Sequence, residues 1–361
     1  MIFTKRKIIF SILYFCLLLV LIEIISRTEW SFRKEVPFLS TNVNFYYPEL
    51  NKIEGVEINK KDDSFDVLLL GGSVFHENWG NISRLLLEKM TYEKKQAVRI
   101  HNMASPGHTS LDSYYKYRHL ADKKFDLILI YHAINDLRLN NCPSSMYKAD
   151  YSHYSWYKVV NLFERHRNLP DIATLFSFYY RITRLIEKCG YPPRYIPKKQ
   201  PTEEWTRHGN KIKSAESFRI NLEKILRLAE KKKERVILMT FCFYVSEKYS
   251  LEKFKKKQLD YSLHDSAIEI WGIPDNIING IKIHNNVIRD IAGRSDFVMF
   301  IDQNSIFPKT GKYFNDICHF TQKGCELFVD NIMDKICTPI KRRAQAFNAQ
   351  YFKNPYYECR K

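Results

Sequence analysis

Five residues in this chain have types and neighbours suited to acyl transfer: Ser73, Gly107, Asn135, Asp316 and His319. Breaking an ester needs a nucleophile, a base, a group that orients the base, and donors for the oxyanion that forms on attack. Ser73 follows Gly71-Gly72, which allow a sharp turn that exposes its hydroxyl and its backbone N–H. Gly107 ends the run Asn102-Met103-Ala104-Ser105-Pro106-Gly107 and permits close approach of a backbone N–H to a substrate. Asn135, in His132-Ala133-Ile134-Asn135-Asp136, offers a neutral amide donor. Asp316 and His319 are three positions apart and fit one short turn. The carboxylate would then hold the imidazole while its other nitrogen faces Ser73.

Each residue also has a plainer reading. A Ser after two glycines is often a helix cap, Asn135-Asp136 suits a turn, and His319 suits a cap near a helix start. Asp136 reads as a structural hydrogen-bonding residue. His76, His101, His108 and His132 also fall near strand ends. They read as cleft lining more readily than as metal ligands, and neither a metal nor a cofactor is expected.

Positioning such groups is the task of a sheet. Five short runs are nearly continuous in apolar residues: Asp66–Leu70, Ala97–Met103, Asp126–Tyr131, Arg235–Phe241 and Phe297–Ile301. Continuous apolarity marks strands buried on both faces, hence a parallel sheet covered by helices. Helical patterns lie between them, at Ile82–Lys89, Leu111–Ala121, Glu216–Lys232 and Asn279–Ala292, and Gly324–Ile336 follows the last run. The alternation predicts an open three-layer α/β fold. In such sheets ligands bind beyond the carboxyl ends of the strands, where the five residues fall. Two insertions, at about 140–213 and 242–278, break the rhythm. They read as walls of a substrate cleft or as a peripheral subdomain that only packs.

The order of these blocks resembles the SGNH hydrolases, also called the GDSL esterase/lipase family. That family places Ser, Gly, Asn and a D-x-x-H pair in this order, each after a strand. The resemblance covers about residues 64–338 without the two insertions. It implies a flavodoxin-like sheet of about five parallel strands. It assigns Ser73 as nucleophile, Ser73, Gly107 and Asn135 as oxyanion donors, and Asp316 and His319 as the rest of a catalytic triad. Two positions depart from the family pattern. Its first block is usually Gly-Asp-Ser, and Gly72 stands here for the Asp; its third is usually Gly-x-Asn-Asp, and Ala133 stands for the Gly. Neither position supplies a triad group.

The amino terminus carries a different signal. Ile8 to Ile22 lack formal charge, Glu23 interrupts, and Ile24 and Ile25 follow. These 18 residues would reach about 27 Å as a helix, close to a hydrocarbon core of about 30 Å. Lys5-Arg6-Lys7 precede them, which predicts a cytoplasmic amino terminus and an extracytoplasmic remainder. A cleaved signal peptide is the rival, but Ser-Arg-Thr-Glu-Trp is a poor cleavage site. The expected organisation is a cytoplasmic tail and single-pass anchor (1–30), a linker (31–63), the hydrolase-like domain (64–338) and a basic aromatic tail (339–361).

Composition limits the rest. The chain has 361 residues, 45% hydrophobic, which excludes global disorder. Of eight cysteines, Cys16 lies in the apolar run, and no C-x-x-C occurs; Cys142 and Cys189 are the pair that would staple the first insertion. The net charge of +17 invites a nucleic-acid reading, yet no nucleic-acid motif is present. Lys231-Lys232-Lys233, Lys255-Lys256-Lys257 and Lys341-Arg342-Arg343 lie away from the chemical blocks and read as solvated faces, or as attraction to anionic lipid or polymer.

Many exported members of the resembled family act on O-acetyl groups of polysaccharides or peptidoglycan, and some transfer the group. The expectation is therefore a membrane-anchored serine esterase or O-acyltransferase acting on carbohydrate or cell-envelope esters. The alternative is a catalytically degenerate SGNH-fold protein used for envelope binding or assembly, motivated by Gly72 and Ala133.

Overall fold

A computed structural model describes residues 2–58, 63–94, 96–167, 171–189 and 203–337. The strands are β1 (Phe65–Gly71), β2 (Val98–Asn102), β3 (Leu127–Tyr131), β4 (Arg235–Met239) and β5 (Val298–Ile301). The longer helices are α1 (Ile2–Lys34), α2 (Ile82–Lys94), α3 (Ser110–His119), α4 (Ser155–Arg165), α5 (Ala173–Lys188), α6 (Ser214–Lys232), α7 (Pro274–Gly293) and α8 (Gln322–Cys337). The basic aromatic tail expected at 339–361, with Lys341-Arg342-Arg343 and Cys359, lies outside the described residues.

The chain divides into two compact units, residues 1–56 with 151–198, and residues 57–150 with 199–361. In the second unit all five strands are parallel, in the order β2-β1-β3-β4-β5. This is the flavodoxin-like order, whose direction reverses between β1 and β3. Every residue of β1 and β3 is buried, whereas the edge strands β2 and β5 are mostly half-buried. That gradient explains the apolar runs: central strands have no solvent face and so no alternation. Helices α2 and α8 pack together, and α3, α6 and α7 pack as another group. The sheet lies between these helical layers, which completes the three-layer α/β fold.

The first unit is built around α1, which contains a stretch, Lys5–Arg33, long and apolar enough to cross a membrane. Glu23, the charge that interrupts the apolar run, accepts the Ala173 and Thr174 N–H groups at 2.8 and 2.9 Å and so caps the start of α5. Residues expected as a linker are partly helical, with Asn42–Tyr46 and Asn51–Glu54 forming short helices. Phe176 on α5 is fully buried, with the rings of Trp30, Phe45, Tyr46 and Phe163 at 4.6–4.9 Å. Aromatic residues of the first insertion thus build the core of this unit. Cys142 and Cys189 are free thiols. In the second unit, Lys255-Lys256-Lys257 are exposed, but Lys232 pairs at 3.0 Å with the buried Glu234.

Candidate active site

All five residues singled out above belong to the second unit, at the carboxyl edge of its sheet. Ser73 opens a single 3-10 turn, Ser73–Phe75, directly after β1. Asn135 lies in a short helix, Ile134–Leu137, just beyond β3. Gly107 lies between β2 and α3 with φ +75, a conformation that favours glycine. Asp316 and His319 lie in the turn before α8.

The side chains form one relay. His319 Nε2 is 2.8 Å from Ser73 Oγ, and His319 Nδ1 is 2.7 Å from Asp316 Oδ2. An ionised carboxylate only accepts, so Nδ1 carries the ring proton and Nε2 is left to accept from the Ser73 hydroxyl. Asp316 is fully buried and held by further donors. Its Oδ1 accepts the Cys318 and His319 N–H groups, each at 2.9 Å, and its Oδ2 accepts the Ser266 N–H at 3.0 Å. Three backbone N–H groups thus fix the orientation of the Asp316 carboxyl toward the His319 ring.

Asp316, Cys318 and His319 could also present ligand atoms to one metal ion. Both Asp316 oxygens are already committed to N–H donors, and burial pushes the Cys318 thiol well above its usual range, with the Asp316 charge adding to the effect. Hydrogen bonding therefore accounts for the arrangement. The four other histidines near strand ends have separate partners: His76 accepts from Asn78, His101 meets Asp66, His108 meets Lys116, and His132 meets Ser113.

The donor groups converge as well. Asn135 Nδ2 donates to His108 O at 3.0 Å, and Asn135 Oδ1 accepts from Trp271 Nε1 at 2.9 Å. These two bonds fix which end of the amide is which and leave one N–H for a ligand. A Cβ on Gly72 would fall 2.6 Å from Asn135 Nδ2 and 3.5 Å from His108 O, so the Ser73 turn, the Gly107–His108 segment and Asn135 meet there. Among the described residues, neither the Ser73 nor the Gly107 N–H has a protein acceptor. Asp136 takes a structural place, accepting the Ser110 N–H at 3.0 Å and the Ser110 hydroxyl at 2.6 Å.

Three contributors escaped the sequence reading. Trp79 stacks on the His319 ring, with centroids 4.0 Å apart and planes at 21°. Trp271 and Ser266 come from the second insertion and hold Asn135 and Asp316. The second insertion is visible in the sequence as a break in pattern at about 242–278, but nothing in it points to an indole reaching Asn135.

No family model matches the chain, and no curated protein matches it. Solved structures do. An acetylxylan esterase from Geobacillus stearothermophilus, in a catalytic-mutant form, aligns at 10% identity over 77% of this chain and 96% of its own, with a TM-score of 0.43. A putative acylhydrolase from Bacteroides fragilis aligns at 14% over 84% and 97%, with a TM-score of 0.41. A lipase/acylhydrolase from Enterococcus faecalis aligns at 15% over 75% and 95%, with a TM-score of 0.38. By its own sheet order, the second unit has the flavodoxin-like α/β fold that the resemblance to the SGNH hydrolases implied.

Proposed function

We propose that this protein is a membrane-anchored, extracytoplasmic serine esterase or O-acyltransferase acting on O-acetyl or related esters of carbohydrate or cell-envelope polymers. The observation that carries the reading is the continuous relay from Ser73 Oγ through His319 to Asp316. Ser73 Oγ attacks the ester carbonyl carbon as its proton passes to His319 Nε2. Negative charge collects on the carbonyl oxygen, which takes hydrogen bonds from the Ser73 N–H, the Gly107 N–H and the free N–H of Asn135. His319 then protonates the leaving alkoxide, and an acyl-Ser73 ester remains. Water, or a sugar hydroxyl, gives its proton to His319 and attacks that ester, which frees Ser73. Trp79 lies face-on to the His319 ring and holds its plane while the ring takes and returns the proton. The choice of carbohydrate or envelope esters rests on the family resemblance and the anchor, and orientation across the membrane rests on the Lys5-Arg6-Lys7 flank.

The test uses the full-length protein in detergent, a fluorophosphonate probe and Ser73→Ala. The wild type should label with one equivalent and the variant should not. A folded wild type that resists the probe would remove the enzyme reading and leave the degenerate binding protein. An acetyl donor supplied with and without oligosaccharide then separates transfer from hydrolysis, because only transfer yields acetylated sugar.

A further inference from the structure

We propose that Lys116 is a positioning residue for the oxyanion donors, its ammonium closing the Met103–His108 loop on which Gly107 sits. The proposal rests on the esterase reading above. Lys116 is on α3, which begins directly after that loop, and side chains on a helix lean back toward its amino end. The side chain is wholly buried. Its ammonium donates to the Met103 carbonyl at one end of the loop and to His108 Nδ1, at 3.0 Å, at the other. Because an ammonium cannot accept, His108 Nδ1 is the acceptor in this pair. The His108 carbonyl in turn accepts from Asn135 Nδ2. Lys116 and Asn135 therefore hold the residue that follows Gly107, His108, by its ring and by its carbonyl.

A buried ammonium is an expensive way to fill space, and a Leu or Met would occupy this core position without the desolvation cost. What the ammonium adds is direction and charge. It holds both ends of the loop that carries Gly107, and it places a positive charge near that loop, behind the place where negative charge develops. Asp112 and His132 share the cluster. Burial, and then the Lys116 charge, push His132 down to about 3, against the opposing pull of Asp112. His132 is therefore neutral, and its Nε2 pairs with Ser113 Oγ at 2.8 Å.

The test compares Lys116→Met, which keeps the length and loses the charge, with Lys116→Arg, which keeps the charge. Full-length protein in detergent hydrolyses 4-nitrophenyl acetate, and active sites are counted by end-point fluorophosphonate labelling. For Lys116→Met, kcat per labelled site should fall at least about tenfold, and at most about the thousandfold seen on loss of an oxyanion donor, while KM stays nearly constant. Affinity for methylboronic acid, which forms a tetrahedral adduct with the serine, should fall by the same factor. Lys116→Arg should recover most of both. A Lys116→Met protein with wild-type kcat per site and wild-type boronic acid affinity would overturn the proposal, whatever its melting temperature. If Lys116→Met does not fold, Lys116→Gln, which retains a donor, should give the intermediate loss, and wild-type values there overturn the proposal equally. Failure of the esterase reading looks different: the wild type itself would neither label nor bind the boronic acid.

Discussion

At position 72 the family pattern has an Asp and this chain has Gly. The backbone there, φ −95 and ψ −150, is open to any residue, so conformation does not demand glycine. Crowding does: the Asn135 amide occupies the space a Cβ would need, and two hydrogen bonds pin that amide. Ala133, the second departure, is buried, and its carbonyl accepts from His284 Nδ1 at 3.1 Å. With both departures present, the relay from Ser73 through His319 to Asp316 is continuous. Gly72→Ala is then a sharp test. It should displace Asn135 and lower kcat on a small ester about tenfold or more, with little change in KM, since the lost contact forms in the transition state. Steady-state kinetics per titrated active site would measure this, and an unchanged kcat would mean that Asn135 yields easily or plays no part.

Among the elements, the second insertion has the larger role in the site. It supplies the Ser266 N–H to Asp316 and the Trp271 indole to Asn135, and so holds one member of the Asp–His pair and one donor. Strands and helices of the sheet were legible in the sequence because burial on both faces leaves unbroken apolar runs, and the five site residues follow those runs. The insertions were not legible, because their contacts are single long-range hydrogen bonds without periodicity. Trp271 is 136 positions from Asn135, and no local pattern encodes that pairing. The sequence leaves the first insertion as a cleft wall or a packing subdomain, and Phe176 and its neighbours serve as core. Trp271→Phe should keep the packing and remove the indole donor. The Asn135 amide then loses the bond that fixes its orientation, and kcat should fall on the order of tenfold with a melting temperature within a few degrees of wild type. A large thermal loss with normal kcat would show that the indole serves packing alone.

For the whole molecule, the charge of +17 describes the surface, whereas response to acid is set by a few buried groups. His132 and His284 are fully buried in the second unit, and burial pushes each down to about 3. His284 donates from Nδ1 to the Ala133 carbonyl at 3.1 Å, accepts the Ser214 hydroxyl at Nε2 and stacks on Phe218, so its neutral form is the bound one. In the unfolded chain both would protonate near 6.5. Between about 6.5 and 3 the unfolded state therefore binds more protons, and stability falls as pH drops through that window. Asp66 adds a second step. Burial opposes its charge, but hydrogen bonds from His101 and Arg99 outweigh that and hold it at about 2. Its contribution is complete above its unfolded value near 4 and is lost as pH falls through 2. Melting temperature should thus be flat near neutrality, decline below about 6.5, and steepen below 4. His284→Gln removes one of the two suppressed protonations, so its decline between 6 and 4 should be shallower by about one proton's worth, near 1.4 kcal/mol per pH unit. Denaturant unfolding of the full-length protein at several pH values would measure the slopes, and parallel slopes for variant and wild type would show that His284 titrates normally in the folded state.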